Sequence, residues 1–318
     1  MAFLPVPPFP AKAPMQTQSA GQAAIRRSRV LAHLAMLLFA ALIAGSFSFG
    51  GIAARAMDTG VLTFLRYLLT TLVMGVLAFG VFRQRFAWPV QPWRFLILGG
   101  LISFYMLTMF KALEFTSPVS TGAVFTLMPL MSAGFALLIN RQKTRSMVLV
   151  SLVIAAAGAI WVIFRGDVAA ILAFDVGRGE MIFFMGVIAH AIYVPLIRTF
   201  DRGEHPVVFG FWVTVFATGV LLLRAAPHLG DVDYAAVPHV VWLSLAYLAV
   251  VTTAITFMLL QFASMRLPAP KVLAYGYLTP SFIILLEGVM GHGWVTLPVL
   301  AGAAVTACGL AWMAALKD

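Results

Sequence analysis

The sequence predicts an all-α integral membrane protein of ten transmembrane helices, arranged as two inverted five-helix repeats. Three observations predict it. The composition is 62% hydrophobic and 10% charged, with a mean hydropathy of +0.99, whereas a soluble domain carries roughly 25% charged residues. Ten continuous apolar stretches fill the chain from Val30 to Leu316, each close to the roughly 20 residues a spanning helix requires. They do not alternate as ten-residue strands would, so helices are the better reading than a β-barrel. Finally, a segment of the first half recurs in the second with five spans, an odd number, in each half.

Residues 1–29 precede the first span. They hold Pro5, Pro7, Pro8, Pro10 and Pro14, no acidic residue, and a Gln/Ser/Ala filler, which predicts a disordered cytoplasmic tail. Arg26, Arg27 and Arg29 before an apolar run imitate a signal peptide. That run exceeds a usual signal core and nine more follow, so an uncleaved first helix is expected. Apolar length places the first repeat's spans at 31–54, 60–82, 93–115, 118–139 and 147–165, within residues 30–166. The second repeat, residues 177–317, places them at 180–200, 206–225, 239–264, 269–291 and 296–316. Trp88, Trp93, Trp242, Trp294 and Tyr234 sit near span ends, as an interfacial aromatic belt does.

The net charge of +10 would suggest nucleic acid in a soluble chain, but its placement argues for topology. With the N-terminus inside, fourteen Lys and Arg fall in inner connectors (Arg26, Arg27, Arg29, Arg83, Arg85, Arg94, Arg141, Lys143, Arg145, Arg198, Arg202, Arg266, Lys271, Lys317). Four fall outside: Arg55, Arg165, Arg178 and Arg224. That bias predicts cytoplasmic termini, in the plasma (bacterial inner) membrane, with lipids as partners and no nucleic acid. The one cysteine, Cys308, leaves no disulfide framework and reads as a small core residue of the last span.

The repeat is carried by Ala112-Leu113-Glu114-Phe115-Thr116-Ser117-Pro118, followed at helical distance by Leu127-Met128-Pro129-Leu130. Ala263-Ser264-Met265-Arg266-Leu267-Pro268-Ala269 leads over the same length to Leu278-Thr279-Pro280-Ser281, so Pro129 and Pro280 fall 151 positions apart. With an odd number of spans per half, the second half enters the membrane from the opposite side. Such a design serves an alternating-access carrier, with a site near the midplane at the repeat interface.

These connectors and prolines resemble those of the EamA-type permeases of the drug/metabolite transporter superfamily, as do Phe64-Leu65-Arg66-Tyr67 in span 2 and the Gly-rich closing spans around Gly158 and Gly309. The resemblance covers residues 31–316 and implies ten helices and movement of small solutes. The chain departs from the pattern at Asn140-Arg141, where a Glu-Arg pair is frequent, and at Gly291-His292-Gly293, where Gly-Glu is. Gly45 and His190 stand where the family often has Trp.

Ionisable groups inside spans are the candidates for function. Arg66 is a contact for a substrate anion or a tether at the outer rim. Lys111 and Glu114, one helical turn apart, pair by themselves or join Arg66 in an outer gate. His190, with Tyr193 and Pro195 after it, carries a coupling proton or packs through a hydrogen bond. Lys271 and Tyr275, at i and i+4, face the cavity or snorkel to headgroups. Gln261 and Tyr105 supply neutral hydrogen bonds, and Glu287 reads as interfacial. Pro129, Pro195 and Pro280 are hinge candidates, because proline removes a backbone donor and bends a helix.

No metal motif, phosphate loop or nucleophile elbow occurs, so no catalytic residue, metal or cofactor is expected. The expected function is secondary transport of a small organic metabolite, an amino acid or similar, by a monomer or homodimer. A proton is the candidate coupling ion. Proton-coupled export of lipophilic cations and an integral-membrane enzyme are the alternatives; the missing carboxylate in span 1 weakens the first.

Overall fold

The computed structural model describes residues 15–142, 144–173, 175–267, 272 and 275–315. Eight helices among them are long and apolar enough to cross a membrane. They are α1 (Met15–Ala54), α2 (Thr59–Val81), α3 (Trp93–Leu113), α4 (Pro118–Asn140), α5 (Ser146–Ile163), α6 (Arg178–Phe200), α7 (Pro206–His228) and α8 (His239–Ala263). Two more apolar helices follow, α9 (Thr279–Val289) and α10 (Leu297–Ala315). A short helix, Val168–Ala173, joins the halves.

Helix α1 starts at Met15, where the sequence predicts irregular tail as far as residue 29. The reason is local: no proline follows Pro14 until Pro89, and Gln, Ala and Arg are good helix formers. The predicted ninth span is shorter than expected, because α9 begins only at Thr279 and residues 268–271 lie outside the described set.

Start signals explain several ends. Asp58 Oδ1 accepts from the backbone N–H groups of Gly60 and Val61 and caps α2. Ser117 accepts from Ser120 N–H, with Pro118 in the first turn of α4. Arg141, in the left-handed region, closes α4. Packing divides each surface in two. Phe47, Phe95, Phe110 and Phe183 are sealed in one core, whereas Leu72, Leu138, Leu223 and Leu243 lie open around the perimeter. An open apolar perimeter of this extent marks a surface solvated by lipid. Cys308, expected in the core, faces outward from α10.

The seam between α5 and α10 reveals how the halves are related. A Cβ on Gly158 would lie 2.7 Å from Gly302 O, and one on Gly309 would lie 3.2 Å from Ser151 O. Thr306 Oγ1 donates to Ala155 O at 3.4 Å. As numbers rise along α5 (151, 155, 158), their partners fall along α10 (309, 306, 302), so the two helices run antiparallel. Shifting by 151 residues turns the contact 158–302 into the contact 309–151, and 155–306 into itself. A pseudo-two-fold axis therefore passes through this crossing, and the fifth helix of one repeat runs against the fifth of the other. The repeat is inverted, as expected.

Two helices break in matching places. Helix α4 consists of Pro118–Phe125 and Met128–Asn140, with Pro129 in the first turn of the second piece. A 3-10 turn, Tyr275–Leu278, precedes α9, with Pro280 in its first turn. Proline cannot bond the carbonyl four residues back, which for Pro280 is Gly276. The Thr279 hydroxyl donates to that carbonyl at 2.5 Å. At the other break Thr126 Oγ1 donates to Ala123 O at 2.6 Å. Helix α8 deviates differently: Tyr247–Ile255 is a π-helix, a form that concentrates at functional positions.

Candidate functional site

Half-way along their helices, α3, α6 and α8 present a polar group within an otherwise apolar bundle. Tyr105 and His190 each lie twelve residues from their helix starts, about 18 Å at 1.5 Å per residue. Thr252 occupies the π segment of α8. Arg66 starts nearer one end of α2, and its long side chain reaches that depth: Nη2 donates to Thr252 Oγ1 at 3.4 Å and Nη1 approaches Met106 Sδ at 3.3 Å. The guanidinium also lies 5.4 Å from the centre of the Phe110 ring, and Tyr67 and Tyr105 are within its electrostatic range.

His190 is held between aromatic faces. Its ring stacks on Tyr105 at 4.4 Å, on Tyr193 at 5.6 Å and on Phe125 at 6.4 Å. Phe47 and Phe183 continue the wall. The Nδ1 atom is enclosed and has no hydrogen-bond partner. Gly45 makes room on the opposite helix, since a Cβ there would stand 2.8 Å from Tyr247 Cζ. That closeness lets the Tyr247 hydroxyl donate to Leu42 O at 2.8 Å.

The proposed three-member gate is not assembled. Lys111 Nζ pairs with Glu114 Oε2 at 2.6 Å, and Thr59 donates to the other Glu114 oxygen. Arg66 bonds elsewhere, because its side chain runs toward α8 and the span centre. At the same face Thr116 donates to Glu180, and Phe115 lies 4.7 Å from the Arg178 guanidinium. Together these contacts clasp α2, the α3–α4 turn and the start of α6. Tyr275 lies apart from the central group, bonded to His33 Nδ1 at 2.7 Å. Gln261 lies beyond the π segment, with no side-chain hydrogen bond to any described residue. Lys271 lies outside the described residues. Pro195 is within α6, and its carbonyl accepts from Asn140 Nδ2 at 3.2 Å.

Sequence reading missed three features. Arg94, counted with the connectors, is fully buried. It donates to Glu204 Oε1 and Val90 O, each at 2.6 Å, and to Phe200 O, locking α3 to the α6–α7 turn. Desolvation pushes the Glu204 carboxyl up, but hydrogen bonds from Arg94 and the Arg202 backbone outweigh it and hold it below the usual range. Thr252 carried a faint signal, as one of two adjacent threonines in an apolar run. Glu287, near the end of α9, is buried against the protein: Oε2 meets His292 Nδ1 at 2.9 Å while Oε1 is enclosed without a partner among the described residues. A cavity of about 330 Å³ lined by Asp58, His228, Asp231 and Asp233 lies between the α1–α2 and α7–α8 connections, away from the central group. Asp58 and Asp233 cap local backbone there, and Asp231 meets His228.

Antiparallel halves around polar groups at mid-depth define a multi-pass membrane transporter fold. The chain belongs to the EamA-like transporter family, whose model matches residues 30–164 and 177–315. It is similar to an uncharacterized transporter, YyaM, of Bacillus subtilis (strain 168), at 24% identity over 199 residues. That match spans 62% of this chain and 65%, just under two thirds, of the relative. One protein of known crystal structure shares the fold: 90% of this chain aligns with 96% of that one at a TM-score of 0.59 and 21% identity. The family carries small solutes, and membership favours transport over catalysis for this chain.

Proposed function

We propose that this protein is a secondary transporter that exports a small organic metabolite, an amino acid or similar solute, by alternating access. The observation that carries the reading is the crossing of α5 and α10. Two halves related by inversion have two equivalent ways of closing on a shared centre, one open to each side. The proline breaks in α4 and α9 lie where such halves would flex, and Arg66, Tyr105, His190 and Tyr193 lie where a solute would rest. The protein sits in the bacterial inner membrane with both termini cytoplasmic, on the distribution of Lys and Arg. The Lys111–Glu114–Thr59 clasp then closes the outer face.

His190 is the candidate for the coupling proton, since an imidazole changes charge near neutral pH. Cells lacking the protein and cells overproducing it provide the test. Overproduction should raise amphipathic metabolites in the medium, and deletion should raise them inside; equal profiles in both strains would remove the export reading. His190→Gln should abolish acceleration by an imposed pH gradient. Retained acceleration would dismiss the proton role.

A further inference from the structure

The two buried arginines of the first half make opposite use of the same side chain. Arg94 finds its counter-ion within the chain, its two Nη atoms meeting a carboxylate and two carbonyls, although Nε has no partner among the described residues. Arg66 is 5% exposed, yet its polar contacts are a thioether at 3.3 Å and a threonine hydroxyl at 3.4 Å. Thioether sulfur is a weak acceptor, and a guanidinium offers five donors in a fork that matches a carboxylate. The carboxylates nearest the span interiors meet other groups: Glu114 meets Lys111 and Thr59, Glu180 meets Thr116, and Glu287, through one of its two oxygens, meets His292. A buried charge without a counter-ion is costly in a membrane interior, and among the described residues none supplies Arg66 with one.

The surroundings define the rest of that partner. Phe110 and Tyr105 flank the guanidinium's side of the bundle. From Tyr105 the aromatic stack continues through His190 to Tyr193 and Phe125. Within the stack the enclosed His190 Nδ1 is the unpaired polar atom. We propose that Arg66 anchors a solute carboxylate, so that the carried class is small organic acids and zwitterions with an apolar body. Their carboxylate takes the Arg66 fork, the apolar body lies along the Tyr105–His190–Tyr193 wall, and a second polar group meets His190. Lipophilic cations are refused by the same guanidinium. The assignment rests on the transport reading above.

The test uses the full chain purified in detergent, with thermal unfolding as the readout. Paired probes are L-leucine against L-leucinamide and 4-methylpentanoate against 4-methylpentanamide, with isopentylamine as the cation. Acids should stabilise the protein, whereas amides and the amine should not. Arg66→Gln should raise the half-saturating acid concentration about tenfold or more, the loss of a charge-assisted hydrogen bond. Stabilisation by no acid, equal stabilisation by acid and amide, or an unchanged response in Arg66→Gln would each overturn the assignment. Should Arg66→Gln not fold, Arg66→Lys decides: it keeps the charge and loses the fork, so undiminished acid binding there also overturns it. Counterflow of radiolabelled L-leucine in proteoliposomes separates the two claims. Flux without acid–amide discrimination removes the anchor alone, whereas acid binding without flux removes the transport reading and keeps the anchor.

Discussion

The two halves share a backbone plan but not a chemistry. Near the α3–α4 turn, Lys111 and Glu114 correspond, 151 residues on, to Phe262 and Met265. The first-half turn is fastened by carboxylates, Glu114 to Lys111 and Thr59, and Glu180 to Thr116. Its counterpart at the opposite face is fastened by Arg266 Nε on Ser28 Oγ at 3.0 Å and by that guanidinium over Phe262 at 3.8 Å. Buried arginines occupy α2 and α3, while α7 carries its one charge, Arg224, in the last turn and α8 carries none. Inversion of the backbone provides two related shapes. Unequal side chains make the two ends of the cycle energetically distinct, and only an unequal pair of gates can give a carrier a preferred resting side.

The comparison can be broken most severely at the seam. Gly158→Leu drives a Cβ against backbone, 2.7 Å from Gly302 O and 2.8 Å from Thr306 N, and should cost about 3 kcal/mol or more. Gly309→Leu meets backbone at 3.2 Å and should cost roughly half as much; melting in detergent measures both. Equal losses would mean that the crossing is more symmetric than its distances.

Next comes the first-half lock. Arg94→Met strands two carbonyls and the Glu204 carboxylate and should destabilise by about 2 kcal/mol. Glu204 has a carboxyl held below its ordinary 4.5. Its stabilising contribution is therefore present above that value and lost as pH falls through the lower folded value. Melting curves between neutral and acidic pH should show this loss in the native chain and a smaller one in Glu204→Gln.

The breaks give a finer contrast. Thr279→Val removes the hydroxyl from the Gly276 carbonyl, which the 3-10 turn still pairs with the Thr279 backbone N–H, and should cost about 1 kcal/mol or less. Ala123 O likewise retains the Thr126 backbone N–H at 3.0 Å, so Thr126→Val should cost about the same, and clearly unequal losses would show that the two breaks are not equivalent. Smallest in stability is Glu114→Gln, under about 1 kcal/mol for a partly exposed pair. Its expected signature is kinetic: a several-fold change in export rate where Arg266→Gln gives little. Unchanged transport in Glu114→Gln would remove the gate.

How much was legible follows from what each level of structure depends on. Eight of the spans and the inversion were readable because bilayer thickness fixes helix length and an odd count fixes orientation. Pro129 and Pro280 were readable in register. Arg66, Tyr105, His190 and Tyr193 could be named as candidates, but not that Arg66 turns toward Thr252 and away from Glu114. That direction depends on packing across α2, α3 and α8, 186 residues apart in chain, for which sequence spacing has no rule. Arg94 could not be told from an exposed connector charge because its partners, Phe200 and Glu204, lie 106 and 110 residues away in sequence.

The widened stretch of α8 fixes more than its own winding. A π turn is an α-helix that has absorbed an additional residue without shifting what lies on either side. Excising one residue between Tyr247 and Ile255 would restore regular winding but rotate everything after it by about 100°. Gln261 and Phe262 would then swap neighbours with lipid. The wide turn thus sets the register of α8 on both sides, and Thr252 keeps its place beneath a distant guanidinium only while the surplus residue remains.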